Sequence, residues 1–314
     1  MLPEPEKKID NVLVIKLSAL GDFVQALGPM KAIKRHHPNA KITLLTTKSF
    51  KNFGEECGYF DEIIIDNRPK FLDLKGWLDL RKKLRVLNPD RVYDLQNNDR
   101  TGLYFKLLDK SKKTEWVGTA KGASHRNTSP ERTKGHAFYG HVQTLALADI
   151  EDVKVDNLEW MKTDISRLNL PEKYALFVTG CAPQHPEKRW PLDHYAALGQ
   201  RLLKQNITPV LIGGPSETEL NKQLQEENKK FIDLTCETSF NDIVSLAHGA
   251  QVAVGNDTGP MHLIGASGCQ TIAMYNTLKS NPDRHYVLGD NVTIMSAAGL
   301  QNLSVEDVFK EIKS

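Results

Sequence analysis

The feature that most constrains this chain is an alternation, carried through twice, of short β-branched and apolar runs with longer stretches whose apolar residues recur every three or four positions. The runs at 12–15, 42–45, 63–65 and 91–95 read as buried strands. Between them, 23–35 and 72–87 carry helical spacing, and Pro38 and Pro89 close the two stretches because proline has no amide with which to continue a helix. Strands separated by such helices pair in parallel through crossover connections. The rhythm breaks over 151–171 and resumes with strand-like runs at 175–178, 209–212, 231–234, 252–254 and 271–274. Helices are predicted between them at 192–204, 217–229, 240–248 and 261–266, and a last one at 305–312 follows a Ser304 cap. The predicted fold class is α/β: two Rossmann-like doubly wound domains facing a cleft, over 1–160 and 172–314, with a linker at about 161–171. Such sheets bind ligands beyond the carboxyl ends of their strands, so function is sought in the strand-to-helix loops.

Composition enters through what it excludes. With 40% apolar and 25% charged residues among 314, the chain has ordinary globular usage, which argues against disordered and collagen-like readings. A net charge of +2 gives no chain-wide nucleic-acid footprint. The charge is uneven, however: 27 Lys and Arg stand against 22 Asp and Glu over 1–160, and 14 against 17 over 161–314, a split of +5 and −3. Much of the excess lies in 106–134, with eight basic and three acidic residues, which suits an anionic partner or, equally, a solvated loop. Cys57, Cys181, Cys236 and Cys269 lie far apart without a C-x-x-C pair and are expected to be small buried hydrophobes in a reducing compartment. The first residues bring acids and prolines where a signal peptide needs an apolar run, and no stretch approaches 18 continuous apolar residues, so a cytoplasmic protein is expected. No D-x-D motif or metal-ligand spacing occurs, and no metal or other cofactor is expected.

The first strand leads into Lys16-Leu17-Ser18-Ala19-Leu20-Gly21-Asp22. One glycine, and a second strand ending in Thr46-Thr47, do not make a dinucleotide fingerprint. Asp22, in the first turn of a helix, reads either as an ordinary N-terminal acid or as a carboxylate held at a cleft as a general base. In the second half, Gly255-Asn256-Asp257-Thr258-Gly259-Pro260-Met261-His262 ends a strand and opens a helix. The amides of Thr258 and Gly259 would form an anion site fit for a diphosphate, while Pro260 removes no donor the helix needs. Asp257 alone could be a cap and His262 alone a core residue; together after one strand they favour a ligand site. Lys188, in Glu187-Lys188-Arg189-Trp190-Pro191, could neutralise a leaving phosphate or be plain surface. Glu217, in Gly213-Gly214-Pro215-Ser216-Glu217, suits ribose hydroxyls as well as a helix start. The turn 234–239, with Thr238, follows a strand and is where such a fold would read a purine through backbone groups.

Taken together, K-x-S-x-x-G-D, K-R-W-P, G-G-P-x-E and G-N-D-T-G-P-M-H-L resemble glycosyltransferase family nine, the lipopolysaccharide heptosyltransferases, from about Val12 onward. The resemblance implies a B-type glycosyltransferase fold, an ADP-heptose donor in the C-terminal half and a lipid A-linked acceptor in the N-terminal half. It implies Asp22 as catalytic base, donor contacts from Lys188, Glu217, Asp257, Thr258, Gly259 and His262, and acceptor contacts from Ser18 and Arg100. Arg68, Lys70 and the 106–134 segment are expected to face the anionic acceptor at the inner face of the inner membrane, with Trp116 or Phe138 adding apolar contact. The stretch 182–186 departs from the hydroxyl-bearing residues some members place before the lysine. The expected function is an inverting heptosyl transfer to the lipopolysaccharide inner core. Alternatives are transfer from another nucleotide-sugar, a nucleotide-sugar epimerase of the same architecture, and a non-catalytic nucleotide-sugar binder.

Overall fold

The computed structural model describes residues 8–109, 111–181 and 184–312. Contacts divide the chain into two units, Met1–Lys154 and Val155–Ser314. In the first, β1 (Asn11–Ile15), β2 (Lys41–Thr46), β3 (Glu62–Ile65), β4 (Arg91–Asp94), β5 (Glu115–Gly118) and β6 (His125–Arg126) form one sheet in the order 3-2-1-4-5-6. In the second, β7 (Tyr174–Val178), β8 (Thr208–Ile212), β9 (Ile232–Asp233), β10 (Val252–Asn256), β11 (Thr271–Asn276) and β12 (Val292–Ala297) repeat that wiring, in the order 12-11-10-7-8-9. Every pairing described is parallel. The order reverses between β1 and β4 in one unit and between β7 and β10 in the other, which is where a doubly wound sheet opens a crevice.

The central strands are apolar on both faces because helices cover both. On β7, Leu176 and Val178 join one core layer, and Ala175 and Phe177 the other. The N-terminal core gathers Leu13 and Ile15 with Leu45, Leu84, Val92, Tyr104 and Trp116. The segment 161–171, expected as a linker, packs Ile165, Leu168 and Leu170 against the second unit's core.

The helices follow the sequence spacing with shifts at their ends. Leu192–Lys204 has the expected bounds. The expected 72–87 helix begins at Leu74, because the Asp73 carboxylate accepts the Gly76 amide at 2.9 Å and caps it. Helix Leu20–His36 starts three residues before the expected Phe23 and runs through Pro29. Helices Asp99–Leu107 and Ala137–Ala146, and strands β5, β6 and β12, were not predicted. Among the described residues no helix is long and apolar enough to cross a membrane.

Candidate functional site

At the N-terminal switch point, the ends of β1 and β4 are stitched side chain to backbone. Ile15 lies opposite Asp94 in register, and the Gln96 amide oxygen accepts the Leu17 and Ser18 N–H groups at 2.8 and 3.2 Å. Ser18 is thus held by a residue 78 positions away, and the peptide bond after it is cis. Asp22, partly buried in the first turn of helix Leu20–His36, accepts the Ala19 N–H at 3.3 Å. Beneath lies Lys16, which is 4% exposed and donates to the Leu95 carbonyl at 3.2 Å. Burial lowers its pKa, against the opposing pull of the Asp22 and Asp94 carboxylates. Burial likewise pushes the Asp94 carboxyl up to about 6, against the Gln96 and Asn97 amides and Lys16 that favour its ionised form. Helix Ala137–Ala146 adds the buried His141, kept neutral by desolvation first and then by the nearby charge of Lys16.

The expected acceptor cations sit beyond the carboxyl ends of β3 and β4, Arg68 and Lys70 in the loop after β3 and Arg100 in the first turn of helix Asp99–Leu107. Arg68 is exposed, with φ 51°, and its amide donates to Asp66 at 2.7 Å. Lys70 is exposed. Arg100 is committed in part to its own unit, donating through both terminal nitrogens to the Pro69 carbonyl at 3.2 Å and lying over the Trp77 ring at 5.6 Å.

In the second unit, Val178 at the end of β7 lies opposite Gly255, one residue before the end of β10. A Cβ on Gly255 would lie 2.5 Å from the Met261 sulfur and 2.7 Å from the Val178 Cβ, so the close approach of strand and helix requires glycine. Thr258 is the N-cap of helix Gly259–Ala266, which has no acid in its first turn. The opening amides of a helix have no partner within it, so a helix start of this kind, at Thr258 and Gly259, suits an anion. His262 is buried in the same helix. Beside the helix start, Lys188 pairs with Asp257 at 3.0 Å, each side chain 17% exposed, and Ser280 donates to the same carboxylate oxygen at 2.8 Å. This brings Lys188, Asp257, Thr258 and Gly259 to one strand end.

The local motif by itself suggests no role for Asn256. Its side chain, wholly buried, accepts the Trp190 N–H at 2.9 Å and donates to the Thr179 and Gly180 carbonyls at 2.9 and 3.1 Å. It therefore ties the loop after β7 and the Lys188 loop to β10. Asn256→Ala would orphan three buried backbone groups, and we expect it to destabilise the C-terminal unit by about 3 kcal/mol, since an unsatisfied buried group costs roughly 1–3 kcal/mol. Urea unfolding checks this; a loss below about 0.5 kcal/mol would show that the loops hold without it.

Glu217, also buried, uses its carboxylate on its own turn, accepting the Gly214 N–H at 2.9 Å and the Ser216 hydroxyl at 2.6 Å. It packs beneath Gly180, where a Cβ would lie 2.5 Å from its carboxyl carbon. Thr238 is half-buried in the expected purine turn. That turn is held by Cys236 N–H to the Gly213 carbonyl at 2.9 Å and by the Ser239 hydroxyl, which caps helix Phe240–Gly249. Cys236 is exposed, unlike the other three cysteines and contrary to expectation, because its backbone takes a left-handed φ of 65° at the apex of the turn.

Arg167 anchors the following helix, donating to both Asp242 oxygens at 2.9 and 2.8 Å. Burial opposes ionisation of Asp242, but Arg167 and the Ser239 donors outweigh it and hold the carboxyl below its ordinary range. A depressed folded pKa contributes stability above the unfolded value of about 4, lost as pH falls through the folded value. Arg167→Gln should therefore lower Tm at pH 7, by a margin that shrinks toward pH 3. Calorimetry at both pH values checks this, and a pH-independent margin would leave only packing.

The 106–134 segment departs from expectation. Lys112 pairs with Asp90 at 2.9 Å, before the first residue of β4 and so at the opposite end of the sheet from Ser18, while Lys121 and Arg126 follow β5. The cations therefore do not share one face, and Lys110 lies outside the described residues, as do Ala182 and Pro183. Trp116 and Phe138, offered as membrane contacts, are 1% and 5% exposed, because β5 and helix Ala137–Ala146 turn them into the core. Among the described residues no group of three or more His, Cys, Asp or Glu could hold a metal ion.

The family model of glycosyltransferase family 9 (heptosyltransferase) matches residues 77–312. The lipopolysaccharide core heptosyltransferase OpsX of Haemophilus influenzae is 22% identical, over 87% of this chain and 81% of its own length. The crystal structure of a family 9 glycosyl transferase from Veillonella parvula superposes with a TM-score of 0.81 at 19% identity, covering 96% of this chain and 95% of that one. The E. coli heptosyltransferase WaaC with ADP-2-deoxy-2-fluoro heptose gives 0.73 at 20% identity, covering 96% and 98%. These similarities agree with the α/β, doubly wound build of both units.

Proposed function

The chain belongs to glycosyltransferase family 9 and is a glycosyltransferase, and from that premise we propose that it moves a heptose from ADP-heptose to the lipid A-linked inner core of lipopolysaccharide, with inversion at the anomeric carbon. The observation that carries the reading is the Lys188–Asp257 pair beside the helix start at Thr258 and Gly259, a cation and a helix terminus together at a switch point. ADP departs with negative charge on its diphosphate, and a preorganised ammonium and helix terminus stabilise that charge as it develops. Asp257, itself an anion, serves this site best by fixing Lys188 rather than by touching phosphate. The turn with Thr238 receives the adenine, Glu217 shapes the wall near the ribose, and His262 supports the helix start.

In the N-terminal unit, Asp22 takes the proton of the acceptor hydroxyl as its oxygen attacks the anomeric carbon. Ser18, Arg68, Lys70 and Arg100 meet the acceptor, whose anionic groups suit the three cations. No metal is assigned a step, since Lys188 and the helix amides supply the positive charge. The donor is supported by the ADP-sugar analogue bound to the similar E. coli enzyme, and the acceptor by the lipopolysaccharide core activity named for OpsX. The protein would work in the cytoplasm, at the inner face of the inner membrane, without spanning it.

The deciding experiment is mass spectrometry of products formed from ADP-heptose and defined truncated lipopolysaccharide acceptors, with the new linkage assigned by NMR. Addition of one heptose with inverted configuration is expected. Transfer from UDP- or GDP-sugars instead would move the chain to another donor, and a free epimerised nucleotide-sugar without acceptor would favour the epimerase alternative.

A further inference from the structure

Next to Arg68 and Lys70, the N-terminal unit carries exposed apolar side chains that the transfer step does not use. The loop after β3 and the first turns of helix Leu74–Leu87 hold Phe71, Leu72, Leu74 and Leu78 in solvent, 84, 86, 75 and 61% exposed. Leu74 and Leu78 are one turn apart on one face, and Arg81, Lys82 and Arg85 continue that side of the helix, whereas Leu80 and Leu84 enter the core. Residues 68–85 contain seven Lys and Arg against two Asp. Both acids are engaged: Asp73 caps the helix, and Asp79 pairs with Lys83 at 2.8 Å.

The apolar side chains stand on a built loop. The Lys70 carbonyl accepts the Trp77 indole N–H at 3.0 Å and the Asp73 N–H at 2.9 Å, and Arg100 clamps the Pro69 carbonyl. The backbone is thus fixed with four large hydrophobes pointing outward, a cluster that marks an interaction surface.

We propose that this surface is a bilayer-docking element for an anionic membrane, Phe71, Leu72, Leu74 and Leu78 entering the boundary between headgroups and acyl chains while Lys75, Arg81, Lys82 and Arg85 meet lipid phosphates. An apolar tip within a cationic collar complements an anionic lipid surface. A second copy of the chain fits poorly, because a two-fold contact through this face would set the same positive surplus against itself. The loop follows β3 on the carboxyl edge of the sheet, the edge that also carries Ser18 and Asp22, so docking would bring that edge to the bilayer. The role of the docking, though not the surface itself, rests on the reading of a lipid-linked acceptor.

The test uses the full chain and co-sedimentation with phosphatidylethanolamine–phosphatidylglycerol vesicles, with pure phosphatidylcholine as the neutral comparison. The variant F71Q/L72Q/L74Q/L78Q changes only exposed side chains, and a second variant, K75E/K82E, reverses charge. Each should lower partitioning to the anionic vesicles at least about 10-fold, with salt weakening the wild type. Transfer to a deacylated, water-soluble acceptor should be unchanged in the first variant, while transfer to the same acceptor embedded in vesicles falls. Reversing Lys113 and Lys121 should leave partitioning intact. The proposal is overturned if wild type ignores anionic vesicles, if the first variant partitions as well as wild type, or if wild type is a dimer that the first variant dissolves without any loss of lipid binding. Vesicle binding lost in the variants, with no transfer by wild type to the deacylated acceptor, would uphold this surface and refute the proposed reaction.

Discussion

Asp22→Asn should reduce turnover by about 10²-fold to 10⁴-fold, the range that a positioned general base contributes. Asparagine retains a side-chain oxygen for the Ala19 amide, so the start of helix Leu20–His36 should survive. What it lacks is the ability to take a proton from the acceptor hydroxyl. Donor affinity should change little, because the proposed donor contacts all lie in the other unit. The variant therefore separates the two substrates: kcat falls while the Kd for ADP measured by calorimetry stays. The buried Lys16 loses one of its two nearby carboxylates and keeps Asp94, so thermal unfolding should be recorded alongside, with Asp22→Glu as a partner that keeps the charge. Near-normal turnover in Asp22→Asn would remove the residue from the chemistry and leave it as a helix-start acid.

The second large effect is expected at Lys188. Its ammonium is held by Asp257 at 3.0 Å, and Asp257 is in turn fixed by Ser280, so the cation is aimed before any donor arrives. Preorganised charge is worth most where charge develops, and loss of one such donor costs on the order of 10²-fold to 10³-fold in kcat. Lys188→Ala should show that loss and also weaken ADP binding by about 10-fold or more, the scale of one charge-assisted hydrogen bond. The truncation leaves Asp257 without its cation and held by Ser280, where phosphates are to bind. Lys188→Ala with Asp257→Asn should consequently bind ADP more tightly than Lys188→Ala alone, which a simple loss of packing would not produce. If chelation abolishes activity, Mg²⁺ restores it and Lys188→Ala is silent, then a metal carries the leaving group and the assignment falls.

Both sites also measure how far residue order could be read as structure. The strand-like runs and the loops after them are legible because burial on both faces writes continuous apolar stretches, and because Gly255 falls within one residue of a strand end and Pro260 at a helix start. Strands β5 and β6 left no such mark. Glu115–Gly118 contains one acid and one glycine, and His125–Arg126 is two polar residues that pair only because β4 and β5 are already in place. Helix Asp99–Leu107 was hidden for a related reason, its short apolar side being completed by Trp77 and Trp116 from elsewhere in the chain. The proposed site divides the same way. Asp22, Lys188 and Asp257 were nameable from local motifs. The residues that hold the loops around them, Lys16, Gln96, Asn256 and Ser280, act across 23 to 79 positions, a relation that no local period records.

Those long reaches govern the order in which the molecule can be made. Strand β1 can meet β2 as soon as about 30 intervening residues have left the ribosome, but its other neighbour, β4, lies some 80 residues on, and the loss of chain entropy in closing that loop comes before any pairing rewards it. Strand β7 likewise finds β8 early and β10 late. Since Gln96 cannot reach Leu17, nor Asn256 reach Thr179, until those late pairings exist, catalytic competence should be the last property each half acquires. A nascent chain can thus hold most of its helices and half of each sheet while still having no place to bind a sugar.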